Sequence, residues 1–173
     1  MKCTNPRKAH RLMSDFLNYA SDLFCGDEKI EILLKKGNCF CAESVDCVTD
    51  YEELEIEYNL DQIWDDGMTL FRNFWISKVP TLEDFANITL TLLHELGHLE
   101  TSDEVRKTFS FQDRALTWEA INLLCDNDKE KNYQYFAMFD EAKATQWGID
   151  WLADERNKKV TKEFEKKFLA CFQ

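Results

Sequence analysis

The chain has 173 residues, a length typical of one domain that spans residues 1–173 and buries a hydrophobic core. Its content of 45% apolar and 13% aromatic residues excludes a disordered protein. A net charge of −12 disfavours nucleic-acid binding, because an acidic surface repels phosphate. The chain has neither an apolar run of roughly 18 residues nor the apolar segment of a signal peptide. We therefore expect a cytoplasmic protein that does not bind membranes.

Hydrophobic periodicity predicts three regions in the first half of the chain. Residues 8–25 follow the pattern of an amphipathic helix, which Gly26 is suited to end. Residues 29–58 change to a period of two and predict a small antiparallel sheet of about three strands. Its last strand would be Glu53–Tyr58, where acidic and apolar residues alternate. Residues 60–79 fit either a helix or a turn, and we interpret their aromatic residues as core.

A second helix is expected to begin after Pro80, with Thr81 as its N-cap, and to continue to about Leu99. A helical wheel places its large apolar side chains on one face and two histidines, His94 and His98, on nearly the opposite face. A helix that packs by its apolar face would therefore direct these histidines at another segment of the protein.

This helix contains the sequence His-Glu-Leu-Gly-His at residues 94–98, an H-E-x-x-H motif. Histidines four residues apart lie one turn above each other, where their imidazoles can bind one Zn²⁺. Glu95 lies about 100° round the helix from His94, within reach of a water bound to the metal. Gly97 costs roughly 1 kcal/mol relative to alanine in a helix interior. A glycine at this position allows another segment to come close to the histidines, which would explain why a residue that destabilises the helix is present.

The remaining sequence predicts helices at about 111–125 and 128–154 and a last amphipathic helix near the C-terminus. On the second of these, Asp140 lies near the centre of the apolar face and Glu141 at its edge. A carboxylate on a buried face is costly unless it is paired or binds a metal. Both acids are therefore candidates for a third metal ligand, and the helical wheel does not separate them.

The two motifs together resemble the ImmA/IrrE-type metallopeptidases. The H-E-x-G-H sequence at 94–98 is followed by Glu-x-x-Ala-Thr-x-Trp-Gly at 141–148, where that family carries E-x-x-A-N-x-F-A. The order of predicted elements is also similar over roughly residues 10–152. The differences fall at Thr145, Trp147 and Gly148, which we interpret as packing positions.

This resemblance implies an α+β, zincin-like fold that is mostly helical, with the small sheet before the motif helix. It implies Zn²⁺ as the cofactor, with His94, His98 and Glu141 as ligands and Glu95 as the catalytic base. Asp140 would then either orient a ligating histidine or be an ordinary surface acid. The family's members often act on transcriptional repressors of bacteria, phages or other mobile elements, which implies a specific protein or peptide substrate.

The reaction so implied is gluzincin-like hydrolysis of a peptide bond. The alternative is a binding or regulatory module that holds the metal and cuts nothing. The sequence offers three candidate donors to the oxyanion, Tyr58, Tyr133 and Tyr135, without separating them. An extended peptide would add to the edge of the sheet, near residues 53–58.

Overall fold

A computed structural model describes residues 1–25, 27–45, 53–63 and 66–173. Within these ranges the α-helices are α1 (Pro6–Ala20), α2 (Asp66–Lys78), α3 (Asn87–Glu100), α4 (Ser102–Thr108), α5 (Phe111–Leu124), α6 (Asp128–Phe136), α7 (Phe139–Ala153) and α8 (Glu155–Leu169). The strands are β1 (Phe24–Cys25), β2 (Glu28–Lys29), β3 (Ile32–Lys36), β4 (Cys41–Val45) and β5 (Glu53–Tyr58). The predicted combination of many helices and a small sheet is confirmed. No helix among the described residues is long and apolar enough to cross a membrane.

The three-stranded sheet has the order β3-β5-β4, so the last strand in sequence lies between the other two. β5 runs parallel to β3, with Ile32 opposite Leu54, and antiparallel to β4, with Cys41 opposite Glu57. The prediction of an antiparallel sheet is therefore wrong for one of its two strand pairs. It assumed that strands close in sequence would pair, whereas β5 inserts between two strands that a loop of four residues connects.

The loop between β3 and β4 is attached to the end of β5 by one carboxylate. Glu57 Oε1 accepts hydrogen bonds from the backbone N–H groups of Asn38 and Cys39, at 2.6 and 3.3 Å. These bonds lower the pKa of Glu57. A Cβ atom at Gly37 would lie 1.8 Å from the Glu57 carboxyl carbon, so the glycine leaves room for this side chain. At this glycine the chain passes the end of β5, where the Gly37 N–H bonds to the carbonyl of Tyr58.

The first helix is shorter than predicted. α1 ends at Ala20, because Ser21 has an extended backbone and its N–H bonds to the carbonyl of Leu17. The next residues form β1, which pairs with β2 in a separate two-stranded antiparallel sheet. The prediction of a helix over 8–25 therefore extends too far, and its proposed end at Gly26 lies outside the described residues.

The motif helix begins later than predicted and is capped from a distant part of the chain. Pro80–Asp84 forms a 3₁₀ helix, and Thr81 is not an N-cap of α3. Instead, Glu165 on α8 accepts hydrogen bonds from the Ala86 N–H at 2.6 Å and from the Thr89 hydroxyl at 2.7 Å. A carboxylate in this position satisfies donors at the positive end of the helix. No local sequence pattern indicates a cap that lies 79 residues away.

The predicted helix 128–154 is interrupted. The chain turns at Ala137 and Met138 between α6 and α7, and Met138 has the extended backbone of an N-cap. The helix predicted at 111–125 is present as α5, but only Ile121 on it is buried. Most of its large apolar side chains are exposed, namely Phe111, Leu116, Trp118, Leu123 and Leu124.

The hydrophobic core includes described residues of the region 60–79, which the sequence assigned to either a helix or a turn, and residues near both termini. On α2, Phe71, Phe74 and Trp75 are buried, which confirms that these aromatic residues belong to the core. Trp64, which the same prediction covered, lies outside the described residues. Between α1 and α8, Phe16 stacks on Phe164 with ring centroids 4.4 Å apart. Burying such rings supplies much of the energy that fixes these helices around α3.

The helices α3 and α7 approach each other closely in this core. A Cβ atom placed on Gly97 would lie 2.3 Å from the carbonyl oxygen of Ala144, which is a backbone atom of α7. No real Cβ contact is that short, so the two helices can pack in this way only around a glycine. The expectation that Gly97 admits another segment beside the histidines is confirmed.

We predict that Gly97→Ala destabilises the protein by about 1–3 kcal/mol, because the new methyl group must push α7 away. Helix propensity alone predicts the opposite sign, a gain of about 1 kcal/mol. The free energy of unfolding, measured by urea titration with a chelator present, separates the two effects. Ala142→Gly, at an exposed position of α7, is the control and should cost about 1 kcal/mol. A stabilised Gly97→Ala protein would contradict the packing described here.

Candidate metal centre

The helix α3 presents two imidazoles to α7. His94 is 5% exposed, and His98, one turn further on, is partly buried. Nearly every residue of this helix is buried, so its histidine face is covered as well as its apolar face. The sequence correctly placed the histidines opposite the apolar face. α7, the segment they meet there, approaches closely because Gly97 has no side chain.

Three potential ligand atoms converge between these helices. His94 Nε2 lies 3.0 Å from Glu141 Oε2 and 3.1 Å from His98 Nε2. The third side of the triangle, from His98 Nε2 to the same carboxylate oxygen, is 3.4 Å. Glu141 is 2% exposed, so this oxygen is held deep between the helices. Among the described residues, this is the only group of three or more His, Cys, Asp or Glu side chains with spacing suited to a metal ion.

The arrangement fits a tetrahedral zinc ion. Ligands about 2.1 Å from a tetrahedral ion lie about 3.4 Å from one another, close to the three distances in this cluster. Two imidazole nitrogens and one carboxylate oxygen are also a donor set that zinc prefers, with a fourth position for water or substrate. Hence His94, His98 and Glu141 together are suited to hold Zn²⁺.

The two neighbouring acids have separate partners. Glu141 faces the histidines of α3, whereas Asp140 forms an ion pair with Arg114 on α5, from Arg114 Nε to Asp140 Oδ2 at 2.5 Å. Asp140 thus lies beside the cluster with Oδ2 bonded to Arg114, while its Oδ1 has no hydrogen-bond partner among the described residues. Its proposed role of orienting a histidine directly finds no support in this geometry.

Arg114 is a residue of the site that the sequence analysis missed. Besides Asp140, it donates a hydrogen bond from Nη2 to Glu141 Oε1 at 2.8 Å and another to the Tyr135 hydroxyl at 3.1 Å. The sequence contains one feature that could have identified it: Arg114 is the only basic residue between Lys107 and Lys129. A single cation on an otherwise apolar and acidic segment is a candidate partner for a buried acid.

Thr145 also contributes to the site, although we interpreted it as a packing residue. Its Oγ1 lies 3.2 Å from His94 Nδ1, on the side of the ring away from Glu141. A proton on Nδ1 that is donated to this hydroxyl leaves the Nε2 lone pair for a metal. The signal was the spacing from Glu141, since residues four apart share a helix face.

The geometry separates the three candidate tyrosines. Tyr58 bonds to His10 Nδ1 at 2.9 Å, and Tyr133 packs edge-on against Phe74. Tyr135, by contrast, contacts the arginine that holds Glu141. Burial and the negative charge of Glu141 raise the pKa of the Tyr135 phenol. Tyr135 therefore remains a neutral hydrogen-bond donor at the edge of the cluster.

The electrostatics of the cluster favour an ionised carboxylate. Burial acts to raise the pKa of Glu141, but hydrogen bonds and charge interactions with the two histidines hold it well below its usual range. Burial acts to lower the pKa of His98, but Glu141 outweighs it and raises that pKa. Glu95 is 8% exposed, and its charge also contributes to the raised pKa of His98. Its carboxylate therefore lies within electrostatic range of the cluster.

None of the cysteines whose side chains the structure describes belongs to this centre. These cysteines are Cys3, Cys39, Cys125 and Cys171, and none of them forms a disulfide. The third histidine of the chain, His10, lies on α1 and packs against Tyr58 with ring centroids 5.5 Å apart. His10 therefore lies outside the metal cluster and is suited to serve as a control.

Comparisons with known proteins do not identify the chain. No family model matches it, and neither the curated proteins nor the solved structures show a significant similarity. The resemblance to the ImmA/IrrE-type metallopeptidases therefore rests on the two motifs and remains a prediction.

We predict that the protein binds about one zinc ion per chain and that His94→Ala and Glu141→Gln each abolish tight binding, because each removes one of three protein ligands. Zinc content after dialysis, measured by atomic absorption, checks this. His10→Ala is the matched control, since His10 bonds to Tyr58 outside the cluster. Equal zinc content in all four proteins would contradict the assignment.

Thr145→Val should weaken zinc binding about tenfold, because the His94 ring loses the partner that fixes its tautomer and orientation. Competition with a coloured chelator measures the change. The matched control is Thr161→Val on α8, where the buried hydroxyl has no hydrogen-bond partner among the described residues. The same loss of affinity in both variants would argue against a specific role of Thr145.

Proposed function

We propose that this protein is a zinc-dependent peptidase with a zincin-like fold, related in mechanism to the ImmA/IrrE-type enzymes. The observation that carries the proposal is the convergence of His94 Nε2, His98 Nε2 and Glu141 Oε2 within 3.4 Å of one another, with Glu95 beside them on the same helix. A chance H-E-x-x-H sequence would not be expected to meet a carboxylate of a later helix with this spacing.

Zn²⁺ bound by these residues would lower the pKa of a water molecule and polarise a peptide carbonyl. The chain's own groups supply the proton transfers. Glu95 would accept a proton from the attacking water and deliver it to the leaving amine nitrogen. Its location on α3, directly after a ligand, keeps its carboxylate near the reacting atoms without making it a ligand itself.

Tyr135 is the best candidate for a second donor to the carbonyl oxygen. It lies at the edge of the cluster, and its raised pKa keeps the phenol protonated. Its hydroxyl hydrogen-bonds to Glu141, so it would exchange that bond for one to the carbonyl oxygen. Neither Tyr58 nor Tyr133 has comparable contacts with the metal-binding residues.

The arrangement of the sheet changes the expected site for a peptide. β5 was the predicted edge strand, but it is paired on both sides, so a peptide cannot add beside residues 53–58. β4 is an outer strand of this sheet and contacts α3, which makes it the better candidate. We propose an extended segment of a protein or peptide as the substrate, bound in part by main-chain hydrogen bonds to β4. A specific regulatory protein of the cytoplasm fits this proposal.

Glu95→Gln should retain zinc and lower peptide cleavage about 10²- to 10⁴-fold, because the amide cannot accept the proton. A sequence-diverse peptide library incubated with zinc-loaded protein, with new termini identified by mass spectrometry, measures this. Glu163→Gln, at an exposed position of α8, is the matched control and should cleave like the wild type. Equal cleavage by wild type and Glu95→Gln would rule out Glu95 as the base.

The burial of the ligands favours a second candidate, a metal-stabilised regulatory module without peptidase activity. His94 and Glu141 are only 5% and 2% exposed, as in a structural metal site. This candidate expects zinc to raise the melting temperature of the wild type and no new termini in the library. A cleavage product that depends on both zinc and Glu95 would exclude it.

A further inference from the structure

Arg114 joins the two neighbouring acids of α7 to α5. Its guanidinium bonds through Nε to Asp140 and through Nη2 to Glu141 Oε1 and to the Tyr135 hydroxyl. The side chain is 39% exposed, yet three separate groups fix the guanidinium in place. Because three hydrogen bonds fix the guanidinium, it differs from a mobile surface ion pair. Ion pairs of this kind hold the two partners in a defined orientation.

An arginine near a peptidase site can also bind a carboxylate of the substrate, but these contacts disfavour that role. Two carboxylates of the protein already balance its single charge, and its donors on the site side are used by Glu141 and Tyr135. A substrate carboxylate would have to displace one of them. The contacts of Arg114 therefore act on the protein's own residues.

The effect on Glu141 follows from which oxygen is bonded. Arg114 takes Oε1, whereas Oε2 faces His94 and His98 at 3.0 and 3.4 Å. A carboxylate is able to bind a metal through one oxygen or through both. A strong, charge-assisted bond to Oε1 competes with the metal for that oxygen.

We propose that Arg114 is a positioning residue that restricts Glu141 to a single metal-binding oxygen, Oε2. This inference rests on the metal centre of the proposed function. Asp140 bonds to Nε of the same guanidinium and so helps to set the direction from which Arg114 approaches Glu141. With one oxygen of Glu141 committed to Arg114, the three protein residues supply three ligand atoms and a fourth position stays available for water or substrate.

Cobalt(II) tests this inference, because its visible absorption is stronger in four-coordinate sites than in sites with more ligands. Metal-free wild type, Arg114→Met and Arg114→Lys would each be titrated with Co²⁺, and zinc affinity measured by chelator competition. The methionine keeps the apolar stem and removes the charge. The lysine keeps the charge but cannot reproduce the guanidinium fork. Arg156→Met, which breaks the exposed ion pair with Asp154, is the matched control.

We expect both Arg114 variants to show a weaker cobalt band than the wild type, because Glu141 then binds with both oxygens. Zinc affinity should fall roughly 10- to 100-fold in Arg114→Met. The control should match the wild type in band intensity and affinity. Circular dichroism checks folding, and Arg114→Lys supplies the same spectroscopic readout if Arg114→Met does not fold.

Three results would overturn the inference. An unchanged cobalt band in both Arg114 variants would show that Arg114 does not restrict Glu141. A band that is weak in Arg114→Met and fully restored in Arg114→Lys would reduce its role to charge alone. A wild-type protein that takes up no cobalt and no zinc would overturn the metal centre itself and this inference with it, whereas the first two results leave the metal centre intact.

Discussion

The close packing of α3 against α7 is the constraint on which the candidate site depends. Gly97 allows the backbone of Ala144 to lie where a Cβ atom would otherwise be, which brings one helix face against the other. The helix α3 then supplies two members of the cluster, the histidines, and α7 supplies the third, Glu141, one turn before Thr145. Moving the helices apart by the width of a methyl group would exceed the tolerance of a zinc site, whose ligand distances vary by only a few tenths of an ångström.

The charged residues where α3, α5 and α7 meet show why a metal cation would bind there. Glu95, Asp140 and Glu141 are all buried, and Arg114 is the cation bonded to two of them. Three carboxylates and one guanidinium leave two negative charges, which a divalent ion neutralises. Buried charges without compensation are costly, so the cluster is a poor choice for stability alone. In the absence of metal the raised pKa of His98 offsets part of the imbalance, because a proton on the imidazole supplies positive charge.

The sequence pattern correctly predicted those parts of the structure that depend on residues close together in the chain. The motif helix, the opposed histidines, the close approach at Gly97 and the aromatic core of α2 all follow from helical periodicity and side-chain size. The predictions are wrong where the structure depends on contacts between segments far apart in sequence. The position of β5 between β3 and β4, and the cap that Glu165 provides for α3, depend on pairings between segments far apart in sequence. The exposed apolar face of α5 is invisible to periodicity, which does not say whether an apolar residue is covered.

The distinction between Asp140 and Glu141 shows the same limit within the site. Adjacent residues on a helix point about 100° apart, so two acids of similar chemistry face different neighbours. Glu141 faces α3 and meets two imidazoles, while Asp140 faces α5 and meets Arg114. Helical periodicity gave the angle between them but not the identity of the helices on either side. Since Arg114 contacts both acids, the acid that is not in the metal cluster still acts on it, through the guanidinium that bonds to Glu141 Oε1.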